Sequence, residues 1–179
     1  MEKMLKKLKK IMVVAATAVM LSAGFATVAP KEASAHWADT QMDWAKRNKI
    51  INTDLRDNYA TRQDYWLMFA RYLWSANISY TQARNYLMSA GSHPITDGTR
   101  GTDFITRNEA VAMMYNKENF GGAWQPGIGF EWSRAWGARY SIFDGKRGND
   151  LATRAEVVTM IYNGFKTGNV QSFNRHLKQ

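Results

Sequence analysis

Cysteine is absent from the 179 residues, so the chain has no disulfide framework, no thiolate zinc site and no thiol nucleophile. Histidine and proline each occur three times. His36, His93 and His176 are too scattered to form the paired imidazoles, one helical turn apart, of a zinc-protease motif. There is no GxxxxGK[ST] loop, no GxGxxG and no GxSxG elbow, which removes the signatures of nucleotide cradling and serine hydrolysis. Beyond Ala29 no apolar run is long enough to span a bilayer. What is left is about one domain of chain, 45% hydrophobic and 22% charged, a composition that folds.

The charge balance is basic, 24 Lys and Arg against 15 Asp and Glu, a net +9. Six Lys and two Glu fall within residues 1–35, a local +4, which leaves +5 for the rest. Lys3, Lys6, Lys7, Lys9 and Lys10 precede an apolar run from Ile11 to Ala29, and Ala33-Ser34-Ala35 follows. Basic, apolar, then small-x-small is the order of a secretory signal peptide, which predicts cleavage after Ala35. A membrane anchor is the competing reading, but Thr17, Ser22, Gly24 and Thr27 dilute the run. The body from His36 is therefore expected to be exported, soluble and without a membrane span. An exported chain that lacks cysteine also leans toward a Gram-positive cell surface.

An internal repeat follows. Thr-Arg occurs at Thr61-Arg62, Thr106-Arg107 and Thr153-Arg154, 45 and 47 residues apart. Aligned on these arginines, ITDGTRGTDFITRNEAVAMMYN from Ile95 matches IFDGKRGNDLATRAEVVTMIYN from Ile142. Asp97 pairs with Asp144, Gly98 with Gly145, Arg100 with Arg147, Asp103 with Asp150 and Glu109 with Glu156. The first copy, from Ile50, is worn: Asn52 and Asn58 replace the two Asp, and Asp64 replaces the Glu. Trp44-Ala45, Ser89-Ala90 and Trp136-Gly137 each lie six residues before the aligned isoleucine. The chain thus divides into a signal peptide (1–35), repeats at 36–78, 79–120 and 121–168, and a C-terminal tail (169–179).

Each repeat reads as helix, loop, helix. The first helices are predicted near 38–49, 80–90 and 130–139. The second open at Thr61/Asp64, Thr106/Glu109 and Thr153/Glu156, each a capping box in which the hydroxyl accepts the N3 amide and the carboxylate returns to the N-cap amide. Apolar residues then recur at helical spacing, as in Trp66, Phe69 and Leu73, or Val157, Ile161 and Phe165. Residues Gly121 to Gly129, with Pro126 inside, read as a linker. One such unit cannot bury enough apolar surface alone. The expected fold class is mainly α, with three units packed together and seven Trp supplying bulk.

These motifs resemble the S-layer homology (SLH) family, whose repeats carry a Trp-Ala helix, a glycine turn and a helix opened by Ile-Thr-Arg-Ala-Glu. ITRNEAVAMM and ATRAEVVTMI match the second part, and WAKRNKII and WGARYSIF the first. The resemblance runs from His36 to about Phe165. The repeats are shorter than the family norm, the usual Pro before the motif is missing, Thr53 stands at a turn Gly, and Ser89 replaces a Trp. The resemblance implies three SLH-type repeats packed as a pseudo-threefold bundle, a three-pronged spindle. It implies non-covalent, non-catalytic binding of an anionic secondary cell-wall polysaccharide, often pyruvylated, by a secreted cell-surface protein. It carries the acidic-sugar contact to Arg62, Arg107 and Arg154, groove roles to Trp44 and Trp136, and the turn glycines to Gly98 and Gly145. No cofactor or metal is implied, and no surface-protein partner is specified.

A capping box does not need arginine at its first helical position, where a cation faces the positive end of the dipole. An anionic ligand at the helix N-terminus would explain it, since free amides and a guanidinium fork both favour a carboxylate. An internal partner such as Asp103 or Asp150 is the alternative. Trp66 and Trp74 share a helix with Phe69 and Leu73 and read as core; Trp44 and Trp136 suit a core edge or a sugar platform equally. The Asp97 and Asp144 loops lack the alternating oxygens and closing Glu of a calcium loop and read as turns. A wall glycan hydrolase would need paired carboxylates, but Glu109 and Glu156 already serve as caps and Glu118 and Glu131 have no patterned partner. No clustered basic face marks the mature chain for nucleic acid. The remaining alternative is a structural or protein-binding factor with degraded sugar grooves.

Overall fold

The computed structural model describes residues 36–178. The stretch 1–35, on which the signal-peptide expectation falls, lies outside the described residues. The architecture is mainly α, with six helices and no strand among the described residues. They are α1 (Asp39–Arg47), α2 (Arg62–Leu73), α3 (Tyr80–Met88), α4 (Arg107–Asn119), α5 (Glu131–Arg139) and α6 (Arg154–Thr167). None of them is long and apolar enough to cross a membrane.

Local chemistry sets the starts of the long helices. Asp64 N donates to Thr61 Oγ1 at 3.2 Å while Thr61 N donates to Asp64 Oδ2 at 3.1 Å. Thr106 and Glu109 repeat this at 3.2 and 2.9 Å, as do Thr153 and Glu156. A fourth box, Ser79 with Gln82, opens α3 in the same way. α1 and α5 have no side-chain cap. The loop before each long helix turns at a left-handed residue: Leu55, Arg100 and Arg147 occupy equivalent positions with φ of 44°, 55° and 50°. In the second and third copies the turn is tightened by an aspartate. Thr99 N donates to Asp97 Oδ1 and Lys146 N to Asp144 Oδ1, both at 3.0 Å.

Helices pack across copies. The principal pairs are α2 with α3, α4 with α5, and α6 with α1, so each short helix leans on the long helix of the preceding copy and the last long helix closes onto the first short one. Where the three long helices begin, backbone bonds close a ring. Ile105 N donates to Ala60 O, Ala152 N to Ile105 O, and Ala60 N to Ala152 O, all at 2.9 Å. A second ring lies beside it. Arg62 N donates to Asp103 O (2.9 Å), Arg107 N to Asp150 O (3.1 Å) and Arg154 N to Asn58 O (2.8 Å). Such closure pairs these central backbone groups with one another.

The core beneath the rings is filled by unequal residues at equivalent positions. Tyr65, Ala110 and Val157 share one level, Phe69, Met114 and Ile161 the next, and all six are fully buried. The large Tyr65 is accommodated by the small Ala110, whose carbonyl accepts its hydroxyl at 3.0 Å. Close approach demands glycine at Gly98, whose φ is 66°; a methyl there would run into Met88 of α3, with Cγ at 2.9 Å.

Residues 169–178, expected as a tail, form a strap. Phe173 N donates to Leu73 O at 2.8 Å, Ser172 Oγ to Tyr72 O at 2.5 Å, and Lys178 N to Asn48 Oδ1 at 2.6 Å. Lys178 O in turn accepts Trp44 Nε1 and Asn48 Nδ2, both at 3.0 Å. The strap therefore supplies the acceptor that a buried indole N–H needs.

Candidate functional site

The threefold Thr-Arg motif places its arginines at the junctions between copies. Arg62 and Arg107 are buried, only 4% and 6% exposed, and each is held by two carboxylates of the following copy. Arg62 Nη1 donates to Glu109 Oε1 at 2.7 Å and Nη2 to Asp97 Oδ1 at 2.9 Å. Arg107 Nη1 donates to Glu156 Oε1, and Nη2 to Asp144 Oδ1 at 2.7 Å. The internal partners are thus the capping glutamate and the turn aspartate of the next copy. Asp103 and Asp150, the candidates suggested by sequence, instead accept the first amide of α2 and α4 through their backbone carbonyls.

This corrects two expectations together. The motif arginines at the first two junctions turn inward, because a guanidinium excluded from water needs counter-charge. Nor are the helix N-terminal amides free for an anion. On α4 the first donates to Asp150 O, the second to Gly148 O and the third to Thr106 Oγ1; α2 repeats the pattern with Asp103, Gly101 and Thr61.

A cleft nevertheless opens beside each buried arginine. One, about 570 Å³, is lined by Arg107, Asp144, Arg147, Glu156, Thr159 and Trp37 among others. The other, about 530 Å³, is lined by Arg62, Asp97, Arg100, Glu109, Ala112 and Trp124 among others. The exposed cations are Arg147 and Arg100, whose side chains are 59% and 55% accessible. Arg147 Nη2 reaches Glu156 Oε1 at 3.0 Å and Arg100 Nη2 reaches Glu109 Oε1 at 2.8 Å. Each glutamate thus bridges one buried and one exposed guanidinium. The exposed indoles of Trp37 and Trp124 come from unrelated places in the repeat, the turn before α1 and the loop before α5. Arg100 and Arg147 already matched in the repeat alignment; nothing in the sequence brings Trp37 to the third copy.

Burial by itself would raise the carboxylates of Glu109 and Glu156. The cap amides and guanidinium groups outweigh it and hold both below the ordinary glutamate value. Asp97 and Asp144 are held low in the same way, burial opposing and the amides of Thr99 and Lys146, with Arg62 and Arg107, prevailing. All four are therefore ionised at neutral pH. Two arginines and two carboxylates line each cleft, and a third carboxylate flanks the exposed cation, Asp103 at 3.9 Å from Arg100 and Asp150 at 3.8 Å from Arg147, so an added anion must share these arginines with carboxylates of the chain.

The third junction is reduced. Arg154 Nη1 lies 3.7 Å from Asp64 Oδ1 and its Nε reaches Asp54 O at 3.4 Å. Leu55 occupies the place of the exposed arginine, and the nearby Arg56 is turned onto Asp39 and Asp54. Arg154 lines neither of the two clefts.

The remaining sequence-derived residues serve the fold. Trp44 is buried against Tyr72, Tyr162 and Phe165 where α1 meets α6, so it offers no open ring face. Trp136 is half-buried, edge-on to Tyr115 and Tyr140, and lines neither cleft. Gly98 and Gly145 let the turns close onto α3 and α5: Gly98 O accepts Arg84 Nε at 2.8 Å, and a Cβ on Gly145 would stand 3.1 Å from Ala138 Cβ. No family model, no curated protein and no solved structure matches the chain.

Proposed function

We propose that this chain is a non-catalytic binder of an anionic cell-wall polysaccharide, exported to the surface of a Gram-positive cell, with three SLH-type repeats arranged about a pseudo-threefold axis. The two closed rings of backbone bonds and the cyclic packing of long on short helices support the arrangement. One observation carries the binding reading: two clefts of like construction, each pairing an exposed guanidinium with an exposed indole over a rigid ion-paired floor. A sugar acid meets such a cleft with its carboxylate on the guanidinium edge and its apolar ring face on the indole. The buried Arg62 and Arg107 position the glutamates, which hold Arg100 and Arg147 over the opening. The excess of +5 from His36 onward favours encounter with an anionic polymer.

Glycan hydrolysis is disfavoured, because a general acid needs a raised pKa and the cleft glutamates are held low. A structural or protein-binding role is the second reading, and the carboxylates that already flank Arg100 and Arg147, together with the reduced third junction, favour it.

Sedimentation with purified walls, before and after acid extraction of the polysaccharide, separates the readings. The protein is expected to pellet with intact walls and to stay in solution with stripped peptidoglycan. Replacing both Arg100 and Arg147 by Ala is expected to weaken binding about tenfold or more without loss of helicity. Equal binding to stripped peptidoglycan, or an unaffected double variant, refutes the proposal.

A further inference from the structure

The two clefts share a plan but differ in what their walls leave unsatisfied. In the cleft over Arg62, that residue's Nε donates to Thr99 O at 3.1 Å, so each guanidinium nitrogen has a partner. In the cleft over Arg107, Nε is buried and has no partner. The turn carbonyl equivalent to Thr99 belongs to Lys146, and it does not accept from this arginine. On α6, one turn beyond Glu156, lies a second orphan, the buried hydroxyl oxygen of Thr159, which also lines this cleft. Its counterpart on α4 is Ala112, which has no polar side-chain atom. A buried polar atom without a partner costs free energy, and two in one cleft call for acceptors that the chain itself does not supply.

We infer that the two clefts are unequal, and that the Arg107 cleft is the principal site, with Thr159 and Trp37 as the residues that set its specificity. The inference rests on the glycan-binding reading above. An Nε–H can only donate and a hydroxyl can donate, so the missing group is an acceptor oxygen seated inside the cleft. The exposed Arg147 at the rim and the indole of Trp37 beside it fit a sugar that carries a carboxylate on one edge and an apolar face on the other. The Arg62 cleft offers Arg100 and Trp124 at its rim, but its inner polar side chains already have partners, Thr96 Oγ1 accepting from Gly98 N at 3.3 Å and Asn116 bonding Ile95 O and Ala123 N, so it meets the same sugar more weakly.

The test is calorimetric titration of the purified protein with polysaccharide released from walls by acid, with thermal unfolding run on every variant. Thr159→Val keeps the shape and removes the hydroxyl; it is expected to weaken binding about fivefold. Trp37→Leu is expected to cost about tenfold, and Trp124→Leu less than about twofold. Ala112→Thr should leave the affinity unchanged or improve it. Because Trp37 and Trp124 are both exposed, their variants keep the comparison readable even if Thr159→Val lowers the melting temperature. Equal losses from Trp37→Leu and Trp124→Leu, with Thr159→Val silent, overturn the inequality and leave the glycan reading standing. A parent protein that takes up no polysaccharide overturns both.

Discussion

The junction at Arg107 and the junction at Arg154 start from the same Thr-Arg pair and end differently. At the first, a buried guanidinium is gripped by Glu156 and Asp144, and Arg147 stands over the opening. At the second, Asn52 replaces the aspartate, Leu55 replaces the exposed arginine, and Asp64 is one methylene short, leaving its oxygen 3.7 Å from Arg154. At the helix starts the backbone keeps its plan, since both rings of hydrogen bonds close through the worn copy. Main-chain closure and side-chain chemistry are separable in this fold: the first copy keeps the architecture without the ion-paired cluster of the other two.

The sharpest way to break the comparison is to remove the cation at each junction. Arg107→Met takes the buried partner from Glu156, which keeps Arg147, and from the half-exposed Asp144, and is expected to cost about 2 kcal/mol in urea unfolding. Arg154→Met loses one long ion pair and is expected to cost about 1 kcal/mol. Equal costs would mean that the extra partners of Arg107 add nothing.

The turns offer the next test. Gly98→Ala forces a methyl into Met88 at a left-handed φ and is expected to cost about 2 kcal/mol, read as a lowered urea midpoint. At the equivalent Thr53 the backbone is not left-handed, and Thr53→Ala should change stability by less than about 0.5 kcal/mol.

Acid provides a third. Asp97, Glu109, Asp144 and Glu156 titrate below their ordinary values of 3.8 and 4.5, so the unfolded chain takes up protons first as pH falls. Their contribution is complete above those ordinary values and is lost as pH drops through the lower folded ones. Melting temperature is therefore expected to fall on acidification below about pH 4.5, and more gently in Arg107→Met than in the parent. Parallel profiles would remove the ion pairs from the account.

Repair of the worn junction should have the smallest effects. Asp64→Glu brings the carboxylate toward Arg154 and is expected to stabilise by less than about 1 kcal/mol. Leu55→Asn relieves a left-handed leucine at φ 44° and is expected to add about 0.5 kcal/mol. Urea midpoints read both.

The helices were legible because their signals are local. A Thr and an acid three residues apart meet within one turn, so Thr61/Asp64, Thr106/Glu109 and Thr153/Glu156 needed no tertiary information. Ser79 with Gln82 carried the same signal in other residue types. The repeat fixed the equivalences Arg100 to Arg147 and Asp97 to Asp144, and with them half of each cleft. The other half came from chain folding. Glu109 is 47 residues from Arg62 and Glu156 is 49 from Arg107, too far for any pattern to pair them. Whether an arginine faces solvent or a carboxylate depends on how much water the packing removes, and that is decided only when α2 meets α3 and α4 meets α5. The same packing buries Trp44 under the Lys178 strap and leaves Trp37 at the rim of a cleft made by the opposite end of the chain. Capping, periodicity and turn chemistry act over a few residues and were written in the sequence; burial, which assigns each charge and each indole its task, is a property of the assembled whole.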